Sequence, residues 1–235
     1  MRYGLKEENI YLLRMASCCF KKLTSNKAYF GMQCFWGSES RFARVKGVTC
    51  TKVGYSGGTK PNPTYKDIGD HTEIVEVTYD PTVISYTDLL EIFWNSHSPL
   101  IHRKKQYQSA ILYLTDEEGD LAKSSLDNYK RILESDEEKI ETYVEKLSFF
   151  TDAEDYHQKY WLRNAPELLS LLKLEGKDDE IKNSILATKV NGYLGGASDY
   201  SEFPNIAKKY DLSDKEIELI IKLSEEISKS RSSCH

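Results

Sequence analysis

The chain has 235 residues, 40% of them apolar and 16 of them tyrosine, and it carries a formal net charge of −5. That length can bury a sizeable core as one domain with appendages. The acidic balance and the interspersed charges give no basic stripe for nucleic acid and no polybasic membrane patch, and no apolar run approaches the ~20 residues that span a bilayer. Cysteines fall at positions 18, 19, 34, 50 and 234 without a repeated spacing, unlike a secreted disulfide framework, so a reducing, cytoplasmic compartment is expected.

Met1 to Lys27 is expected to be an N-terminal arm. It holds Arg2, Lys6, Arg14, Lys21, Lys22 and Lys27 together with Glu7 and Glu8. Transit peptides are poor in acids, so mitochondrial import is the secondary expectation. Cys18 and Cys19 read as ordinary thiols, because no Cys or His at ligand spacing accompanies them. From Ala28 a strand-like run leads to Cys34, and a helix-like segment, Ser38 to Val45, follows. A thiol at a helix start meets unpaired N–H groups and a partial positive charge, which favour thiolate. The aromatic pair Phe35 and Trp36 could wall a small apolar pocket.

Val48 to Ser56 is β-branched and ends in Gly57 and Gly58, a strand entering a turn. Pro61 and Pro63 then impose an extended loop. Thr72 to Tyr79 alternates, so Glu73 shares a face with Val75 and Val77. Ser85 and Asp88 mark a helix start for Leu89 to Asn95, and Thr115 with Glu118 has capping-box spacing before a charged helix reaching about Glu134. Ser109 to Leu114 reads as a strand and Lys139 to Lys146 as an edge strand. Beyond Trp161, Pro166 to Leu174, Asp179 to Lys189, Phe203 to Tyr210 and Ser213 to Ser230 read as helices.

Cys34-Phe35-Trp36-Gly37, Gly54-Tyr55-Ser56-Gly57-Gly58, Pro61-Asn62-Pro63-Thr64-Tyr65 and His71-Thr72-Glu73 occur in order. Phe93-Trp94 with His97, Gln106-Tyr107, and Glu154-Asp155-Tyr156-His157-Gln158-Lys159-Tyr160 follow, and Asn191-Gly192-Tyr193-Leu194-Gly195-Gly196 closes the series. This succession resembles the peptide methionine sulfoxide reductase A family over residues 28 to 165, plus the glycine-rich piece near 191.

The resemblance implies reduction of free and protein-bound methionine S-sulfoxide to methionine. It makes Cys34 the nucleophile that attacks sulfur and becomes a sulfenic acid, and Glu73 the acid for the sulfoxide oxygen. It makes Tyr65 and Tyr107 oxygen binders, and Phe35 and Trp36 the walls that hold the methyl group. A carboxyl near pKa ~4.3 must rise by about three units, roughly 4 kcal/mol, to stay protonated at neutral pH, and burial among the valines of its strand could supply that. His71, His97 and His157 read as satisfied structural histidines, and no metal, flavin or nucleotide cofactor is implied.

Three departures from the family pattern stand out. Gln33 precedes the nucleophile where many members have glycine. The stretch from His97 to Tyr107 is short and lacks the usual aspartate. Leu194 occupies the place where the glycine-rich segment often carries a recycling cysteine. Cys234, in the polar tail Ser230-Arg231-Ser232-Ser233-Cys234-His235, is the preferred resolving thiol, giving a disulfide with Cys34 that thioredoxin reduces. Cys50 is expected to be buried and inert. Two other readings compete: a thiol peroxidase or redox sensor, and an impaired module that only binds oxidised methionine.

The expected fold class is α+β, a two-layer mixed-sheet core flanked by helices with a helical C-terminal addition. The expected division is an arm at 1–27, a catalytic domain at 28–165 and a helical extension with the resolving tail at 166–235.

Overall fold

A computed structural model describes residues 26–132, 140–196 and 199–232. The β-branched and aromatic runs form strands Lys27–Gly31 (β1), Val48–Ser56 (β2), Thr72–Tyr79 (β3) and Ala110–Tyr113 (β4), joined by Tyr143–Lys146 (β5) and Thr151–Asp152 (β6). They make one sheet in the order β5-β4-β1-β3-β2-β6. Its pairs are antiparallel except β4 with β5, so the sheet is mixed, as expected for this α+β chain. Strand β5 occupies an edge, although only the last four residues of the alternating stretch pair. Strand β6 has two residues and is too short to show a period in the sequence.

In β1 and β3, Phe30 lies opposite Val75 and Ala28 opposite Val77. Glu73 therefore projects from the same face, two residues before Val75. Helices Phe35–Ala43 (α1), Tyr86–Ser96 (α2) and Asp116–Ile132 (α3) cover this face. They enclose a core that includes Phe30, Phe42, Val75, Val77, Leu89 and Phe93, each at 0% exposure. The start of α2 is fixed by reciprocal bonds, Asp88 N–H to Ser85 Oγ at 3.1 Å and Ser85 N–H to Asp88 Oδ2 at 3.0 Å. Thr115 and Glu118 do the same for α3, at 3.2 and 3.3 Å.

The opposite face buries Tyr29, Ile74, Ala110 and Leu112 beneath Tyr143 and Phe150. Glu76 points there too. Its carboxylate stays satisfied because Tyr29 donates at 2.7 Å and Lys27 at 3.1 Å.

The C-terminal part is helical, with Tyr160–Arg163 (α4), Pro166–Leu171 (α5), Asp178–Asn183 (α6), Ile185–Leu194 (α7), Phe203–Lys209 (α8) and Asp214–Ser232 (α9). The helix expected over Asp179 to Lys189 is split at Ser184. That residue is extended and accepts the Ala187 N–H at 3.2 Å, starting α7 afresh. Leu162, Leu168, Ile181, Val190, Leu194 and Ile220 form a second apolar core.

Helix α7 lies close against α1 because Gly192 lacks a side chain; a Cβ there would stand 2.8 Å from the Arg44 nitrogen. A buried polar network joins the two helices. Glu39 and Lys159 are both at 0% exposure with Nζ 3.0 Å from Oε1. Glu39 Oε2 also accepts from the Lys159 backbone N–H at 3.0 Å and from Asn191 at 3.3 Å. A buried ion pair persists only when its remaining lone pairs and protons are satisfied in this way. Among the described residues no helix is long and apolar enough to cross a membrane.

Candidate active site

Cys34 is the N-cap residue of α1, with extended backbone at φ −61° and ψ 121°, and its thiol is exposed. Its carbonyl accepts from Gly37 N–H at 3.2 Å and Ser38 N–H at 3.4 Å, closing the first turn. The helix thus begins three residues earlier than the sequence pattern suggests. Gln33, just before it, adopts a left-handed backbone at φ 69°. A glycine would enter that region without steric cost.

Beside Cys34 lies Glu73, 1% exposed. Its Oε2 accepts the Phe35 N–H at 3.0 Å and its Oε1 accepts the Gln106 amide at 2.8 Å. Burial pushes this carboxyl up to about 7, while the two donated hydrogen bonds pull the other way. Gln106 reaches Glu73 from the 3₁₀ turn Lys105–Tyr107, which Thr72 of β3 tethers by donating to the Lys105 carbonyl at 2.8 Å. The same turn carries Tyr107, whose hydroxyl bonds to that of Tyr65. Burial first, then that bond and the nearby Glu73 and Cys34 charges, push the Tyr107 hydroxyl pKa upward.

Tyr65 is brought in by Glu154, which accepts the Tyr65 N–H at 3.1 Å while its other oxygen accepts from Tyr55 at 2.8 Å. The Tyr65 ring lies 4.5 Å from the ring of His157. Trp36 stacks on Tyr160 with centroids 3.8 Å apart and donates from Nε1 to His157 Nδ1 at 3.2 Å. Phe35 is 1% exposed and packs with Val53, Tyr55 and Trp36. Phe35 is the more deeply buried of the two, and Trp36 is half-buried.

The structure therefore brings Cys34, Phe35, Trp36, Tyr65, Glu73 and Tyr107 into one place. Cys234 lies outside the described residues, as do residues 1–25 of the expected arm with Cys18 and Cys19, whereas Lys27, expected to end the arm, already opens β1. Leu194 ends α7 fully buried. Cys50 is half-buried rather than buried: it lies where the pairing of β2 with β3 shifts register, with its sulfur 3.7 Å from the Lys182 carbonyl. His71 and His97 use both ring nitrogens within the protein. His157 departs from the satisfied state expected of it, since its buried Nε2 has no hydrogen-bond partner. Sequence reasoning assigned no role to Gln106 or Glu154. The adjacency of Gln106 to Tyr107 and of Glu154 to the His157 motif is the only local signal for them.

Residues 26–190 match the family model described as peptide methionine sulfoxide reductase. A peptide methionine sulfoxide reductase of Drosophila melanogaster is 43% identical over 187 residues, 77% of this chain and 73% of that protein. A peptide methionine sulfoxide reductase MsrA of Methanococcus maripaludis is 41% identical over 153 residues, 61% of this chain and 96% of the relative. Among solved structures, methionine sulfoxide reductase A of Corynebacterium diphtheriae superposes with a TM-score of 0.55 at 32% identity, covering 60% of this chain and 75% of that one.

Proposed function

The chain belongs to the peptide methionine sulfoxide reductase family and is an oxidoreductase that reduces methionine sulfoxide; from that premise we propose that Cys34 is the nucleophile and Glu73 the acid of a thiol-based cycle. The observation that carries this reading is the buried Glu73 carboxyl, tied by the Phe35 N–H to the helix that Cys34 opens and raised to about 7.

Cys34 thiolate attacks the sulfoxide sulfur while Glu73 protonates the departing oxygen. Tyr65 and Tyr107 donate hydrogen bonds to that oxygen as charge accumulates on it, and Phe35 and Trp36 hold the terminal methyl group. The oxygen passes to Cys34 as a sulfenic acid and the thioether leaves, reduced by two electrons. The Cys234 thiol then attacks the sulfenic sulfur, forming a disulfide and releasing water. Thioredoxin reduces the disulfide and returns both thiols. In this reading residues 28–165 supply the reacting groups, and the helices and tail beyond carry the resolving thiol. Substrates are the S-sulfoxide epimer of free methionine and of oxidised proteins, and the cysteine usage supports a cytoplasmic setting.

A stereospecific assay on free and peptide-bound methionine sulfoxide, with dithiothreitol or thioredoxin as reductant, tests the proposal. The S epimer should be consumed saturably, with poor turnover of hydrogen peroxide. Reduction of the R epimer, or peroxide as the better substrate, would refute it.

A further inference from the structure

Gln33 immediately precedes the exposed thiol and has a left-handed backbone, φ 69°. A residue with a Cβ enters that region at a cost, so its surroundings have to keep it there. One contact that does so comes from a distant part of the chain. With its amide turned to suit its partners, the Gln33 oxygen accepts from Arg103 Nε at 3.0 Å and from Arg103 Nη2 at 3.1 Å. Two donors of one planar guanidinium thus converge on one oxygen, and both residues are half-buried.

Arg103 lies two residues before the 3₁₀ turn Lys105–Tyr107. That turn is rigid, because the Lys104 carbonyl accepts the Tyr107 N–H at 2.8 Å and the Lys105 carbonyl accepts from Thr72 at 2.8 Å. Gln106 of the turn donates to Glu73, and Glu73 accepts the Phe35 N–H. The contacts close a ring that runs from Gln33 through Arg103, the turn, Gln106 and Glu73 to Phe35. Cys34 is the single residue between the two ends of that ring, tied through both chain neighbours to the turn that carries Tyr107.

We infer that Arg103 is a positioning residue for sulfoxide reduction, acting through the Gln33 side chain to fix the Cys34 sulfur relative to Glu73 and Tyr107. The inference rests on the catalytic reading above, in which those two groups act on the sulfoxide oxygen while the thiol attacks sulfur. Both events occur on one small substrate, so misplacing the thiol by about 1 Å can cost about 10²-fold in rate. The Phe35 N–H secures only one side of Cys34. Without the second tie, rotation about the Gln33 backbone would carry the thiol off line while α1 and Glu73 stayed in place. The role is geometric, so it needs the two-donor fork and not merely a positive charge, which lysine supplies as a point charge.

The test is single-turnover release of methionine from methionine S-sulfoxide, followed by rapid quench in the full-length protein over a range of substrate concentrations. Arg103→Lys and Gln33→Gly keep the local charge and remove the fork. Each should lower the maximal rate about tenfold or more and leave the half-saturating concentration within twofold. The double variant should be no slower than the slower single one, because both substitutions remove the same bond. Alkylation of Cys34 by iodoacetamide, read on the Cys34 peptide by mass spectrometry, needs the thiolate but neither Glu73 nor Tyr107, and should change less than twofold in both variants. A parental rate in Arg103→Lys would overturn the inference, as would losses that multiply in the double variant. Alkylation that falls in parallel with methionine release would also overturn it, since the thiol itself would then be impaired. If the parent releases methionine and the variants match it, only this inference fails; if the parent releases none, the catalytic reading fails and this one with it.

Discussion

The Phe35 N–H donates to Glu73 Oε2 at 3.0 Å. One of the unpaired donors at the start of α1 is therefore taken up by the carboxyl proposed as the acid. Sheet and helix are locked in register at the point where chemistry would occur, because β3 carries the carboxyl and α1 carries the thiol.

Burial raises Glu73 to about 7, and its protonated form is the one that donates. Single-turnover release of methionine should accordingly decline as pH rises through about 7, while the Cys34 thiolate requirement limits the rate at the acid end. Glu73→Gln should lower the rate by about 10²- to 10⁴-fold and remove the alkaline decline. A variant that keeps both rate and decline would exclude Glu73 as the acid.

The Gln106 amide, 2.8 Å from Glu73 Oε1, favours the ionised carboxylate. Gln106→Leu removes that preference, so the alkaline limb of methionine release should move to higher pH. Measuring the whole pH profile separates this from simple loss of activity, and an unmoved limb would deny Gln106 its tuning role.

Cys34→Ser should abolish reduction with any reductant. Cys234→Ser should release a single equivalent of methionine and then stall with thioredoxin, yet continue with dithiothreitol. Rapid quench and steady-state assays report the two phases. Sustained thioredoxin-dependent turnover by Cys234→Ser would exclude it as the resolving thiol.

Tyr107 and Tyr65 are bonded to one another, so their contributions should not add. Each single substitution to Phe should slow methionine release about tenfold or more, with the double variant slower by less than the product of the two. A double-mutant cycle measures the coupling directly; strict additivity would mean that the phenols act independently.

Much of this arrangement is legible in the sequence where it depends on near neighbours. Ser85 with Asp88, and Thr115 with Glu118, announce helix starts because the bonds they make span three residues. Alternation puts Glu73 on the valine face because side chains in a strand repeat every two positions. Longer-range features leave little local trace. Helix α1 starts at Phe35 although Phe, Trp and Gly are poor helix formers, because tertiary packing of Phe35 and Phe42 outweighs propensity. Contacts such as Gln106 with Glu73, or Glu154 with Tyr65, join segments 33 and 89 positions apart. No period encodes those distances.

The buried pair of Glu39 and Lys159 gives a stability prediction. Glu39→Gln leaves the Lys159 ammonium at 0% exposure without its counter-charge and should cost about 3–5 kcal/mol in urea unfolding. Replacing both residues by methionine should cost less, since neither charge is then stranded. Equal losses for the single and double variants would contradict this account.

Asn191 extends that network in a way that matters for trimming the gene. Its side-chain oxygen accepts the Trp161 and Leu162 N–H groups at 3.0 and 3.2 Å, while its amide nitrogen reaches Glu39. A fragment cut after Ala165 would keep every group proposed to touch the sulfoxide, yet it would discard a clamp on the helix that Cys34 caps. A portable version of this enzyme, for fusion to a chosen client, therefore has to keep the helix that carries Asn191, and must also keep Cys234 if the proposed thioredoxin cycle is to run.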